Sequence, residues 1–162
     1  MTPGAVTFLD HTADVGFDVT TPTPEALFDL AARGMLALLR GEEDGGGAGQ
    51  SATGAGLLRS DTDRALTLSA PEPARLLADW LRELLFLHEV ERLDYDGASF
   101  QALRLTGSPP DAGVAGAPCR LTAAVRFLAG GHAVREIKGV TYHEIEVRRA
   151  PAGWSARVIF DV

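Results

Sequence analysis

Asp10, His11, Thr12 and Asp14 place two carboxyls, an imidazole and a hydroxyl within five positions, between the apolar residues Phe8-Leu9 and Val15. Burying such groups without partners costs about 1–3 kcal/mol each. The cluster is therefore either a turn that satisfies its own backbone or one half of a site. Two further polar groupings stand out. Lys138, Thr141, Tyr142, His143 and Glu144 interrupt two strand-like runs, and Asp161 stands beside Val162 after the apolar Val158-Ile159-Phe160. If Asp14 faces Asp161 and a terminal carboxylate on Val162, three anionic oxygen donors converge. Like charges that close must be neutralised by protons, by Lys or Arg, or by a metal. Oxygen donors suit calcium or magnesium, and with a histidine added zinc or manganese is equally admissible. On spacing alone, Asp14 serves as well for a turn cap as for a ligand. His11 and His143 read first as structural histidines. Sequences of the form GxSxG, HExxH, GxGxxG and GxxxxGK[ST] are all missing, so the common hydrolase and nucleotide-binding signatures give no lead.

The elements that must position these groups can be read in order. Val6 to Leu9 is a short apolar run, and Val15, Phe17 and Val19 alternate with polar or small residues as in a half-buried strand. Thr23 suits a helix N-cap, Pro24 the first helical position and Glu25 the positive end of the dipole. Leu27, Leu30, Ala31, Gly34, Met35 and Leu38 then form one apolar stripe that stops by Gly41. Gly41 to Gly56 is rich in Gly and Ala and reads as a mobile surface loop. A strand through Leu66 and Leu68 ends at Pro71, and a second helix carries the broad apolar face of Leu76, Leu77, Trp80, Leu81, Leu84, Leu85 and Leu87. Trp80 reads as a core anchor, and His88 with Glu89 as the helix end, where a histidine complements the dipole. Extended segments follow at Ser99 to Thr106, Arg120 to Leu128, Thr141 to Arg149 and Trp154 to Val162, with Pro151-Ala152-Gly153 turning the last two. Strand, helix, strand, helix and then four strands predict an α+β fold: a mixed, largely antiparallel sheet with two principal helices.

Composition limits the function. The 162 residues, 46% of them apolar, predict a single domain over residues 1–162 with a sizeable core. A formal net charge of −7 argues against direct, general nucleic-acid binding. Cys119 is the only cysteine, which excludes an internal disulfide and a CxxC zinc site and reads as a packing residue. With no signal-like opening and no apolar run of membrane-spanning length, the expected location is the cytoplasm.

At these same residues the chain resembles the archease family. Asp10-His11-Thr12-Ala13-Asp14-Val15-Gly16, Trp80-Leu81-Arg82-Glu83-Leu84-Leu85-Phe86, Lys138-Gly139-Val140-Thr141-Tyr142-His143 and Val158-Ile159-Phe160-Asp161-Val162 are similar to its four motifs, in order. The resemblance implies two strand–helix–strand–strand modules, one nested in the other. It also implies an accessory protein, not an enzyme, that activates an RtcB-type RNA ligase in tRNA splicing or RNA repair. Such an activator promotes guanylylation of the ligase and its multiple turnover. Carried over residue by residue, it implies a divalent cation, calcium first and magnesium or manganese next, held by Asp14, Asp161 and Val162. His11, Lys138 and His143 fall on the rim of that site. Gly139 departs from the alanine expected there. Two other readings stay open: a metal-dependent phosphoester hydrolase using the same carboxylates with His11 or His143 as base, and an interaction module without metal.

Overall fold

Thr23 starts the first helix as its sequence predicts. Its backbone is extended and its hydroxyl accepts a hydrogen bond from the Ala26 N–H at 3.2 Å, with Pro24 at the first position. At the other end Gly41, at φ 68°, takes the left-handed conformation that closes the helix, and the Glu42 N–H donates to Ala37 O at 2.8 Å. This helix, α1, spans Pro24–Arg40. The computed structural model describes residues 4–10, 14–42, 61–105, 119–142 and 144–162. The strands before α1 are β1, Ala5–Asp10, and β2, Asp14–Thr21. After it come β3, Asp61–Ala70; α2, Pro73–Glu91; β4, Leu93–Arg104; and β5, Cys119–Ala129. The chain then returns through β6, Gly139–Val140; β7, Glu146–Ala150; and β8, Gly153–Asp161. Of the stretch read as a mobile loop, residues 43–56 lie outside the described residues.

The class is α+β, as the element order predicts, and every described strand pairing is antiparallel. The strands divide between two sheets. One has the order β1-β2-β8, with β6 and β7 sharing the far edge of β8; the other is β3-β5-β4. The second sheet and α2 come from residues 61–129, inserted between α1 and β6, which is the nested arrangement that the resemblance implies.

Several boundaries differ from the sequence reading. The strand expected at Thr141 begins only at Glu146, because Thr141 and Tyr142 turn toward α2 and β8 instead. The strand expected from Ser99 starts six residues earlier, at Leu93. The second helix runs past Glu89 to Glu91, where Arg92 at φ 55° closes it. A two-residue strand, β6, gives five strands after α2 among the described residues, in place of four.

Alternation and helical spacing bury one continuous core. Phe17 and Val19 of β2 and Val158 and Phe160 of β8 face α1, and Trp80 lies fully buried between Phe28, Tyr95 and Phe100. Each helix packs on its own sheet and reaches the other, α1 touching β4 and α2 touching β6 and β7. Leu30 is only half-buried, while Phe28, Ala32 and Leu39 complete the apolar face of α1. Cys119 is buried, as a packing residue should be.

His88 is more than a dipole partner. It is 3% exposed, and its Nδ1 lies 2.9 Å from Asp94 Oδ1, while Arg40 Nη2 donates to Asp94 Oδ2 at 2.6 Å. A histidine one turn from a helix end reads locally as solvent-facing; a buried carboxylate on the next strand draws it inward. Tyr95, pushed up by burial and by the adjacent Asp29 carboxylate, stays protonated and donates to Asp29 at 2.7 Å, tying β4 to α1. Among the described residues, no helix is long and apolar enough to cross a membrane.

Candidate functional site

The register of β2 against β8 brings the two ends of the sequence together. Asp14 opens β2 directly opposite Asp161, the last residue of β8, and the rungs continue through Gly16–Ile159 and Asp18–Arg157. Directly opposed residues of an antiparallel pair share a face. Phe17 and Val19 point into the core, so Asp14, Gly16 and Asp18 stand on the outer face with Asp161, Ile159 and Arg157. Val162 follows, half-buried against the core. On the other side of β8, Gly139 pairs with Asp161, and the Lys138 N–H donates to the Asp161 carbonyl at 2.8 Å. The site is thus a three-strand tip: Asp14 on one side, Asp161 in the middle, Lys138-Gly139 on the other.

Asp18, four residues along β2 from Asp14, carries a satisfied carboxylate. Asp18 accepts two hydrogen bonds from Arg157, at 2.7 and 2.9 Å, and that guanidinium holds its carboxyl below the ordinary value. Asp14 and Asp161 instead oppose like charge to like, an arrangement that disfavours the pair by itself. Among the described residues, neither carboxylate enters an ion pair. Two carboxylates so placed are oxygen donors of the kind that an external cation or ammonium group would neutralise. The described residues include no group of three His, Cys, Asp or Glu side chains placed to hold a metal. Further donors to a hard cation would come from main-chain oxygens, such as one of Val162, or from water.

Gly16 keeps the strands aligned beside the pair. A Cβ there would meet Val158 O at 2.3 Å and Ile159 Cδ1 at 2.7 Å, and the carbonyl cannot rotate aside as a side chain could. Gly16→Ala is accordingly expected to destabilise the protein by about 1–3 kcal/mol and to shift the amide resonances of β2 and β8 more than those of β3-β5-β4, as measured by denaturation and NMR.

The model of the archease protein family (MTH1598/TM1083) matches residues 7–162. The chain belongs to the archease family. The Protein archease of Methanosarcina barkeri is 30% identical over 155 residues, covering 96% of this chain and 94% of the relative. The archease of Methanothermobacter thermautotrophicus is 29% identical over 162 residues, covering 96% of each. A solution structure of Methanobacterium thermoautotrophicum protein 1598, 24% identical, shares the fold, with a TM-score of 0.62 over 97% of this chain and 98% of that one. Membership in the archease family supports an accessory role and not an enzymatic one.

Within this archease, the residues singled out from sequence divide plainly. Asp14, Asp161 and Val162 come together at the tip, and Lys138 is exposed next to it. Asp10 ends β1 opposite Val15. His11 and His143 lie outside the described residues. Gly139, where the resemblance leads to an expectation of alanine, has nothing within 4 Å of an added Cβ, so an alanine would fit there.

One cluster escaped the sequence reading. The archease motifs around Trp80 and Lys138 meet at Tyr142, whose hydroxyl donates to Asp79 Oδ1 at 2.9 Å and accepts from Arg82 Nη1. The Tyr142 ring lies under the guanidiniums of Arg75 and Arg82, at 4.5 and 4.8 Å from its centroid. The local signal was the spacing of Arg75, Asp79 and Arg82 along the polar side of α2; their partner lies 60 residues or more away in sequence.

Proposed function

We propose that this archease activates an RtcB-type RNA ligase, promoting guanylylation of the ligase and repeated turnover without catalysing the joining itself. The observation that carries the reading is the Asp14–Asp161 rung, which opposes two carboxylates that enter no ion pair among the described residues, at the tip of the sheet. With a Val162 oxygen, they form a hard-donor set of the kind that holds calcium, with magnesium or manganese as the other candidates. A cation held there supplies positive charge and Lewis-acid character. The protein's own part is to present the carboxylates on a rigid strand pair, with the Asp161 main chain fixed by the Lys138 N–H. His11, Lys138 and His143 are assigned to the rim, and of these Lys138 is among the described residues. The net charge of −7 suits docking on a basic, RNA-handling partner and disfavours direct, general RNA binding by this chain. The setting proposed is tRNA splicing or RNA repair in the cytoplasm.

A cognate ligase assayed for multiple-turnover joining, with and without this protein, tests the reading. Acceleration is expected, and no acceleration at saturating protein would sink it. Calorimetry with calcium should show binding that Asp14→Asn weakens.

A further inference from the structure

We propose that Tyr142 is a positioning residue for the carboxylate tip: clamped onto α2, it holds residues 138–141 along β8 and so fixes the main chain of Asp161. The inference deepens the proposed function, since it rests on Asp161 being a site residue. It starts from the weakness of β6. A strand of two residues, Gly139 and Val140, is below the usual length of a stable strand. Yet this segment makes contact after contact with the end of β8: the Lys138 N–H to the Asp161 carbonyl, Gly139 opposite Asp161, Val140 opposite Phe160, and the Thr141 hydroxyl to the Ile159 carbonyl at 3.1 Å. The end of a sheet frays unless something ties it down.

Tyr142 supplies the tie. Its ring sits against two guanidiniums, and its hydroxyl both donates to Asp79 and accepts from Arg82. Three residues of one rigid helix therefore grip a single side chain immediately after the segment that borders the tip. Arginine suits this clamp, because its flat guanidinium stacks on an aromatic face while its N–H groups remain free to hydrogen-bond. The path from α2 to the site is short and continuous: Asp79 and Arg82, Tyr142, the 138–141 main chain, the Asp161 carbonyl.

Amide hydrogen exchange on the full chain, read by NMR, tests the tie without ligase or cation. In Tyr142→Ala the Lys138 amide is expected to exchange roughly tenfold faster or more, while the amides of Leu121 and Val125 in central β5 keep their wild-type rates. Tyr142→Phe retains the ring between Arg75 and Arg82 but loses the bond to Asp79, so its acceleration should be smaller and again confined to the tip. Unchanged Lys138 exchange in Tyr142→Ala would overturn the proposal, and so would acceleration that merely tracks Leu121 and Val125. Should Tyr142→Ala fail to fold, Tyr142→Phe and Asp79→Asn decide: no local acceleration in either overturns it. A ligase that ignores the protein would strike the proposed function and leave this exchange result standing.

Discussion

Replacing Trp80 with alanine is expected to lower the unfolding free energy by about 3–5 kcal/mol, the largest effect of any single core truncation in this chain. Trp80 is fully buried, with ring centroids 6.4, 6.0 and 5.7 Å from those of Phe28, Tyr95 and Phe100. Its indole N–H donates to the Phe28 carbonyl at 3.0 Å, so one side chain joins α2 to α1 and to the sheet of β4. The neighbours belong to two other elements, α1 and β4, and cannot close around the void together, which leaves a cavity. Trp80→Phe keeps most of the ring contact but loses the hydrogen bond and should fall between alanine and wild type. Denaturant unfolding provides the check: the midpoint should drop sharply with little change in slope. A loss under about 1 kcal/mol for the alanine variant would mean that the helices are not pinned together at this point.

Asp94→Ala carries the second large effect, expected at about 3 kcal/mol. The Asp94 side chain is 1% exposed and is shared by His88 and Arg40, so its removal strands a buried imidazole and a guanidinium at once. The estimate sits at the low end of the range for a broken buried pair because Arg40, at 24% exposure, still reaches water. Burial by itself would raise the Asp94 carboxyl, but hydrogen bonds from His88 and Arg40 together with their charges outweigh it and hold the carboxyl below its ordinary 3.8. A depressed value in the folded state stabilises the protein fully above the unfolded value, and that contribution is lost as the pH falls through the folded one. Wild type should therefore lose stability as the pH drops below 3.8, and Asp94→Ala should lose less over the same interval. Equal acid sensitivity in the two proteins would show that the carboxylate is not held this way.

What could be read from sequence and what could not follows the range of the interactions. The start and stop of α1 were legible because Thr23, Pro24 and Gly41 act on their own backbone within a few residues. Trp80 as core and the turn at Pro151-Ala152-Gly153 were legible for the same reason, since helical spacing and turn chemistry are local. The tip was legible only as a conjecture joining Asp14 to Asp161. Nothing within either stretch sets the register that makes them partners; the inward set of Phe17, Val19, Val158 and Phe160 does that across the whole sheet. Asp94 was missed because an acid beside an apolar residue looks solvated until His88 and Arg40 arrive from two helices. Tyr142 reads as strand because its neighbours alternate, and Arg75, Asp79 and Arg82 of α2 draw it out of that line.

The measurement closest to the central claim is single-turnover guanylylation of a cognate RtcB-type ligase in the presence of wild-type protein, Asp14→Ala or Asp161→Ala. Wild type is expected to speed formation of the guanylylated ligase, and each variant, folded and at equal concentration, to lose most of that acceleration. Two variants that accelerate guanylylation as well as wild type would contradict the claim, and the opposed carboxylates at the strand tip would then be a feature of the sheet and not of its function.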